Sequence, residues 1–425
     1  MKLFYILLLV KVVFLNFFIN ASEISTAINN STFSNHKKNS LALLNGNTTW
    51  YYYKHYTVIS NIIEGQKPDY LNSLTLVLQV SNDHYMNRFK NHLINWEGLI
   101  SLGIFMLNTK LISTETKCTI CTIKYFLKNR KNVSVHFIFR KKINISNDDI
   151  IYIKEASYCD QFNFKNGIKS CITVPSKNKL KFLQSYPINI LRNVARKFSQ
   201  SKFLVISDFD QIFSPHFAEK VLPVVKSVHA KNKKAVFVIR NFETVSKNYK
   251  DGPKNKKQLH KMLKEGKAFV FHYRCIVNFG IPKLKEWFKV VDNNKTSIQF
   301  QAIYDQDGWE PKLIIPDDAP YNDENFPYSF ADNNNIMWSL CLKEYKFLVL
   351  NNVFIYHLGV KPAGESKDMG KLRELNMGKY TYARKSFLQR HEKKYSKRFG
   401  ICMKKPNFKE KNKLLSDNIF KTKKS

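Results

Sequence analysis

Two aspartates spaced i, i+2 close an apolar run of strand length, Lys202-Phe-Leu-Val-Ile-Ser-Asp-Phe-Asp210. In an extended chain alternate side chains share a face, so Asp208 and Asp210 can point into one space, roughly 6–7 Å apart at their Cα atoms. A hard divalent cation such as Mn²⁺ or Mg²⁺ suits the pair, because it takes oxygen ligands and leaves positions for water and nucleotide phosphates. Open α/β sheets bind ligands beyond the carboxyl ends of their strands, where this pair would stand. The competing reading is a cap, since Ser214-Pro215 looks like an N-cap with proline at the first helical position.

Other chemistry-bearing residues flank the pair. Tyr186-Pro-Ile-Asn-Ile-Leu-Arg-Asn-Val-Ala-Arg196 opens with proline near a helix start and sets Asn189, Arg192, Asn193 and Arg196 at spacings of three and four, on one helix face. Arg192 or Arg196 can then meet a nucleotide or support the acidic pair; the alternative is an exposed helix with ordinary surface arginines. Asp305-Gln-Asp-Gly-Trp-Glu-Pro311 and Tyr321-Asn-Asp-Glu-Asn-Phe326 cluster carboxylates in loop context. Phe347-Leu-Val-Leu-Asn-Asn-Val-Phe-Ile-Tyr-His357 reads as a strand ending in histidine, followed by Leu358-Gly-Val-Lys-Pro362. His357 can complete a metal site and Lys361 can meet a diphosphate; a histidine at a strand end can equally be structural.

The elements that must carry these residues alternate. Ser73 to Ser81 reads as a strand, His84 to Ile94 as an amphipathic helix, Trp96 to Phe105 as a turn and strand, Val133 to Phe139 and Ala235 to Arg240 as core strands, and Asp251 to Lys267 as a Lys-rich loop and helix. This is the pattern of an α/β layered fold with a mainly parallel mixed sheet flanked by helices.

With 425 residues and 44% hydrophobic content, the chain can bury a core as one large domain or two smaller ones. The net charge of +36 admits nucleic acid, anionic lipid or an acidic glycan as partner. Zinc-finger spacing, an RNA-binding aromatic signature and a basic zipper are all missing, which argues against nucleic acid and for a solvated, Lys-rich surface.

Residues 1–22, Lys2 followed by the apolar run Leu3 to Ile19, read as a signal peptide or a signal-anchor. Residues 23–72 read as an Asn/Ser/Lys-rich stem, and 401–425 as a basic tail. Asn30, Asn47, Asn132, Asn144 and Asn294 fit Asn-x-Ser/Thr, consistent with a luminal fate. Seven cysteines permit up to three bridges. Cys118-x-x-Cys121 lacks the second half of a zinc site, and Cys159 with Cys171 is the preferred disulfide.

From Leu74 to Lys361 the chain resembles glycosyltransferase family 49, the inverting transferases that include the glucuronyltransferases of α-dystroglycan glycan synthesis. The anchors are Leu74-Thr-Leu-Val-Leu-Gln79, Asn95-Trp-Glu-Gly-Leu-Ile-Ser-Leu102, Tyr186 to Arg196, Ser207-Asp-Phe-Asp210, Trp309-Glu-Pro311, Asp323-Glu-Asn-Phe326 and His357 to Lys361, in that order. The resemblance implies a GT-A type nucleotide-sugar fold over 73–400, a Mn²⁺-dependent site and a UDP-sugar donor, with glucuronic acid as the expected sugar and a glycan or glycoprotein acceptor. It implies a Golgi membrane or lumen setting, type II if the N-terminal segment is retained as an anchor.

By motif position Asp208 and Asp210 would be the Asp-x-Asp pair, His357 the further metal ligand, and the strand from Ser73 to Ser81 with Gln79 would border the nucleotide pocket; Arg192, Asn193, Asp208 and Lys361 are the other candidates to meet the nucleotide. An inverting transfer also needs a carboxylate base, sought first at Asp323 and Glu324 and then at Glu310 or Asp307. One departure stands out: the family pattern has a glycine-flanked aromatic after Asp-Glu-x-Phe, whereas this chain reads Pro327-Tyr-Ser-Phe-Ala-Asp332. A catalytically silent glycan-binding protein on the same scaffold, a transferase using another UDP-sugar and a secreted polyanion binder remain the alternatives.

Overall fold

The apolar runs that end in candidate site residues are strands buried on both faces. The computed structural model describes residues 48–405 apart from 84–86, 129, 163, 165–170, 173, 274–279, 294 and 361–366. In chain order its strands are β1 (Thr49–Tyr53), β2 (Tyr56–Ile63), β3 (Leu74–Ser81), β4 (Leu99–Met106), β5 (Val133–Phe139), β6 (Phe203–Ile206), β7 (Gln211–Phe213), β8 (Ala235–Thr244), β9 (Ala268–Val270), β10 (Ile298–Ala302), β11 (Lys312–Pro316) and β12 (Lys346–Leu358).

They form one mixed sheet in the order β1-β2-β5-β4-β3-β6-β11-β8-β12-β10, with β7 on β12 and β9 on β8. The block β5-β4-β3-β6 is parallel, as is β8 with β12, and the remaining pairs are antiparallel. This is the α/β architecture expected from the alternation of runs.

The period of two in the strands divides the core between the faces. Leu76, Phe203, Val205, Phe237 and Ile239 pack on one face with Phe217, Val221 and Val225 of the helix Phe217–Lys231. Val77, Leu204, Val236 and Val238 pack on the other with Ile336, Met337 and Leu340 of the helix Asn334–Leu342 and with Ala383 and Phe387 of Lys367–Glu392.

Three expectations are corrected. The segment read as stem is folded over its last part: β1 pairs with β2, and β2 pairs with β5 and is buried almost throughout. Val58 and Ile59 are fully buried there, so Tyr56-Thr-Val-Ile-Ser-Asn-Ile-Ile63 is core rather than spacer.

Cys159 and Cys171 do not bond each other: Cys118 bonds Cys171 and Cys121 bonds Cys159. Both partners lie on the helix Thr114–Leu127, where a spacing of three presents two thiols on one face.

The tail starts later than residue 401, because Cys402 closes the helix Ser396–Cys402 and bonds Cys341. Residues 1–47, with the whole candidate signal segment, and 406–425 lie outside the described residues. Among the described residues no helix is long and apolar enough to cross a membrane.

Candidate functional site

The parallel strands β3, β6 and β12 all end on one side of the sheet, and a cavity of about 560 Å³ opens there. Ser207 to Asp210 turns out of β6 and re-enters the sheet as β7. Ser207 donates to Gln211 Oε1 at 2.9 Å, and Gln211 N donates to the Asp208 carbonyl at 3.2 Å. Phe209 stacks on Phe89, their ring centroids 6.2 Å apart, and also borders the cavity. Asp208 and Asp210, on either side of it, line the cavity. They do not cap the next helix, whose N-cap is His216; Ser214 Oγ instead accepts from Phe354 N.

Pairing decides what each aspartate meets. Antiparallel β11 sets Ile314 opposite Val205, which carries Lys312 to the carboxyl end of β6. Lys312 Nζ stands 2.6 Å from Asp208 Oδ2, and Arg192 Nη2 lies 3.4 Å from Asp208 Oδ1. Burial works to raise the Asp208 carboxyl, but Lys312 and Arg192 outweigh it and hold the group below its usual value.

Antiparallel β7 sets His357 opposite Gln211, beside Asp210. His357 Nε2 lies 2.8 Å from Asp210 Oδ2, and its Nδ1 lies 2.8 Å from the Gly359 carbonyl. Only an N–H can face that carbonyl, so Nδ1 carries hydrogen. In the neutral ring Nε2 is then a lone pair aimed at a carboxylate. Two acceptors at this distance need a proton or a cation between them. A carbonyl that fixes the tautomer of a ligating histidine is the usual outer support of a metal site.

Asp210 and His357 therefore fit a hard divalent cation as protein donors, with the other positions left to water and phosphate. Asp208, the third expected ligand, contacts Lys312 and Arg192 in this structure. Among the described residues no group of three His, Cys, Asp or Glu side chains is placed to hold a metal ion.

The helix Ile188–Lys197 is buried along nearly its whole length rather than exposed. Arg192 Nη1 donates to Asn189 Oδ1 at 3.0 Å and to Asp332 Oδ2 at 3.0 Å, so it joins the helix, the 327–332 loop and Asp208. Arg196 donates to the carbonyls of Ala319 and Pro320 and does not reach the aspartates. Asn193 is also structural: it donates to the Asn322 carbonyl at 2.8 Å and to Glu324 Oε1 at 2.9 Å. Gln79, at the end of β3, lines the cavity, and its Oε1 is buried without a hydrogen-bond partner, an acceptor open to a ligand N–H.

The candidate bases separate. Asp323 is held by Arg390 and accepts from Asn325. Glu324 accepts from Tyr53 at 2.7 Å and from Lys54 at 2.6 Å. Asp307 pairs with Arg384 at 2.7 Å. None of these three lines the cavity.

Glu310 does line it. Burial, then the nearby Asp332, pushes its carboxyl up to about 7 against the opposing influence of Lys312 and a hydrogen bond with Asn334. Lys361 lies outside the described residues.

Residues 73–396 match the family described as a glycosyl-transferase for dystroglycan. The chain belongs to this family. Its relatives include the human xylosyl- and glucuronyltransferase LARGE1, 24% identical over 77% of this chain and 36% of the relative. They also include the zebrafish beta-1,4-glucuronyltransferase 1, 27% identical over 43% of this chain and 42% of the relative. The chain thus spans about a third of the length of the LARGE relatives it matches. A crystal structure of GalNAc-T7 with UDP, GalNAc and Mn²⁺ covers 82% of this chain and 55% of its own, at 9% identity and a TM-score of 0.35, too remote to bear on the site.

Within this family member, sequence reasoning missed Lys312, Asp332 and Arg88. Lys312 directly follows the Trp309-Glu-Pro311 motif as the one charged residue heading an apolar strand, a signal that was present. Asp332 sits in the segment that departs from the family pattern, where Ser329 and Ala331 take φ values of 71° and 48°. The left-handed backbone usually supplied by glycine is therefore kept without glycine. Arg88, 3.9 Å from Asp210, carries no sequence signal beyond its helix.

Proposed function

We propose that the chain is a metal-dependent, inverting glycosyltransferase that moves a sugar, glucuronic acid, from a UDP-sugar to a glycan acceptor in the secretory pathway. Membership of a glycosyltransferase family and names of relatives that include glucuronyltransferase support the reaction class. The observation that carries the reading is the contact of Asp210 with His357 at a cavity that Asp210 and Glu310 both line.

Asp210 and His357 would hold Mn²⁺ or Mg²⁺, which when bound neutralises the charge growing on a departing diphosphate. This chain's own cations add to that: Lys312, Arg192 and Arg88 stand around the aspartates and favour an anionic leaving group. Gln79 Oε1 offers an acceptor to the uracil edge.

Glu310 is the candidate base. A carboxylate with an affinity for protons near neutrality can take the hydrogen of the attacking acceptor hydroxyl as the new glycosidic bond forms. The acceptor oxygen attacks the anomeric carbon, the bond to the UDP oxygen breaks, and the proton passes to Glu310. A base on the face opposite the leaving group gives inversion.

Three disulfides support an oxidising compartment. Retention at the Golgi membrane through residues 1–22 belongs to the same proposal.

The test is transfer or hydrolysis by the full chain over a panel of UDP-sugars, with and without Mn²⁺, beside Asp210→Asn. Turnover of UDP-glucuronic acid that disappears with chelator and in the variant is expected. Turnover of UDP-xylose alone would move the donor assignment. Metal-dependent UDP binding without turnover of any donor would favour a silent glycan-binding protein, and no UDP binding would overturn the reading.

A further inference from the structure

At the end of the sheet opposite the cavity, a second cleft of about 620 Å³ is formed where β8 and β12 begin. It is lined by Lys234, Lys343, Lys394, Lys397 and Arg398, against one carboxylate, Glu344. From Lys346 to His357, β12 runs roughly 36 Å at about 3.3 Å per residue, so this cleft is not an extension of the donor cavity.

Surface lysines normally neutralise themselves against neighbouring carboxylates or spread into solvent. Here, among the described residues, none of the five cations forms an ion pair. Arg398 turns one nitrogen to the Cys341 sulfur at 3.9 Å, and its Nε is buried with no hydrogen-bond partner. Burial, then Lys394 and Lys234, holds the Lys343 ammonium below its usual value, so a bound anion would relieve a repulsion already built into the cleft. The Cys341–Cys402 disulfide ties the helix bearing Lys397 and Arg398 to the helix that ends just before Lys343, which fixes the spacing of the cations.

Two rings, Tyr345 and Tyr395, line the same cleft. Aromatic faces receive the apolar faces of pyranose rings while lysines and arginines receive carboxylates. A lone phosphate has no use for the rings. A flat anionic bilayer would attract the lysines but would not use the two rings that line the cleft.

We propose that this cleft is an exosite for a glycan chain that already carries uronate groups, holding an acidic acceptor or product at a distance from the transfer site. The inference rests on the glucuronyl reading above, under which each transfer adds a carboxylate to the growing glycan.

The test uses the full chain and a fluorescently labelled short oligomer of glucuronic acid, read by anisotropy at low and high salt. The variant Lys343→Glu/Lys394→Glu/Lys397→Glu is compared with a charge-matched control, Lys257→Glu/Lys264→Glu/Lys285→Glu, placed on exposed positions elsewhere. The expected result is salt-sensitive binding by the wild type, weakened by about tenfold or more in the cleft variant and little changed in the control. A neutral dextran oligomer should not bind. Equal weakening by both triple variants would overturn the proposal in favour of bulk charge. So would competition by inorganic phosphate as strong as by the oligomer, or a cleft-dependent preference for DNA or anionic vesicles. Mn²⁺-dependent UDP binding is measured on the same samples: its loss in the wild type would overturn the donor-site reading, whereas its persistence alongside absent oligomer binding would overturn the exosite alone.

Discussion

Lys312 Nζ and Asp208 Oδ2 stand 2.6 Å apart, which commits one aspartate of the Asp-x-Asp motif to a lysine rather than to the Asp210–His357 pair. Lys312 is the largest influence opposing the burial of Asp208. Lys312→Met should let the Asp208 carboxyl rise and should cut kcat/KM by about 10–100-fold, the usual scale for a group supporting a metal or phosphate site. The sign of the pH effect follows. A carboxylate whose folded value is depressed contributes stability that is present above its unfolded value and lost as pH falls through the folded value. The difference in Tm between wild type and variant should therefore shrink on acidification, and a difference constant with pH would show that Lys312 acts through packing instead.

His357 and Asp210 make a different prediction. With Nδ1 fixed on the Gly359 carbonyl, Nε2 and the carboxylate share whatever cation lies between them. Either Asp210→Asn or His357→Ala should abolish the dependence of UDP binding on Mn²⁺, and the double variant should be no worse than the weaker single one, since the two act as a unit. Calorimetric titration of UDP with and without Mn²⁺ measures this, and additive losses would place the metal elsewhere.

Glu310 should leave a mark on the pH profile. Its carboxyl is pushed up to about 7, by burial first and by Asp332 second. A base must be ionised, so kcat/KM should climb with pH through that region and level off above it. Glu310→Gln should lower kcat by about 10²–10⁴-fold and remove the limb. The same shift reverses the sign for stability, because a group whose folded value is raised stabilises the fold below its unfolded value and loses that contribution as pH rises through the folded one. Glu310→Gln should thus melt higher than the wild type at pH 8, a gap that closes near pH 4.

The third disulfide joins residues 61 apart in sequence and ties the helix Ser396–Cys402 onto the core. Replacing both Cys341 and Cys402 with alanine should cost about 2–4 kcal/mol in the unfolding free energy, read from denaturant melts. A smaller loss would mean that aromatic packing of Tyr395 and Phe399 already secures that helix.

The acidic strand end, the helix of Arg192 and the strand ending in His357 were legible because each is a local pattern: a β-branched run, a polar face at helical spacing, a strand stopped by a polar residue. What local pattern cannot hold is register. That Asp208 would meet Lys312 depends on β11 running antiparallel to β6, and that Asp210 would meet His357 depends on β7 pairing with β12. The same limit explains Asp323 and Glu324. They read as free loop carboxylates, but Arg390, Tyr53 and Lys54 reach them across at least 67 residues of sequence. The cysteines fail for the same reason, since proximity in sequence favours Cys159 with Cys171 whereas the helix face brings Cys118 and Cys121 to them.

The segment before residue 73 offers the sharpest test of that lesson. Polar composition up to Thr48 hides a strand, Tyr56–Ile63, in which Val58, Ile59 and Ile62 are buried to within 2%. Removing it would strip those side chains from the core, at about 1.5–3 kcal/mol each, which approaches the whole margin of about 5–15 kcal/mol typical of a domain. It would also bare the backbone edge of β5 and release Glu324 from Tyr53 and Lys54, loosening the loop that Asn193 and Arg196 brace. A fragment beginning at residue 48 should therefore be soluble and melt cooperatively, whereas one beginning at residue 73, where the family match starts, should aggregate or lack a transition. Equal yields and equal melting for the two fragments would show that β1 and β2 are an accessory to the fold and that the stem boundary belongs where composition alone would set it.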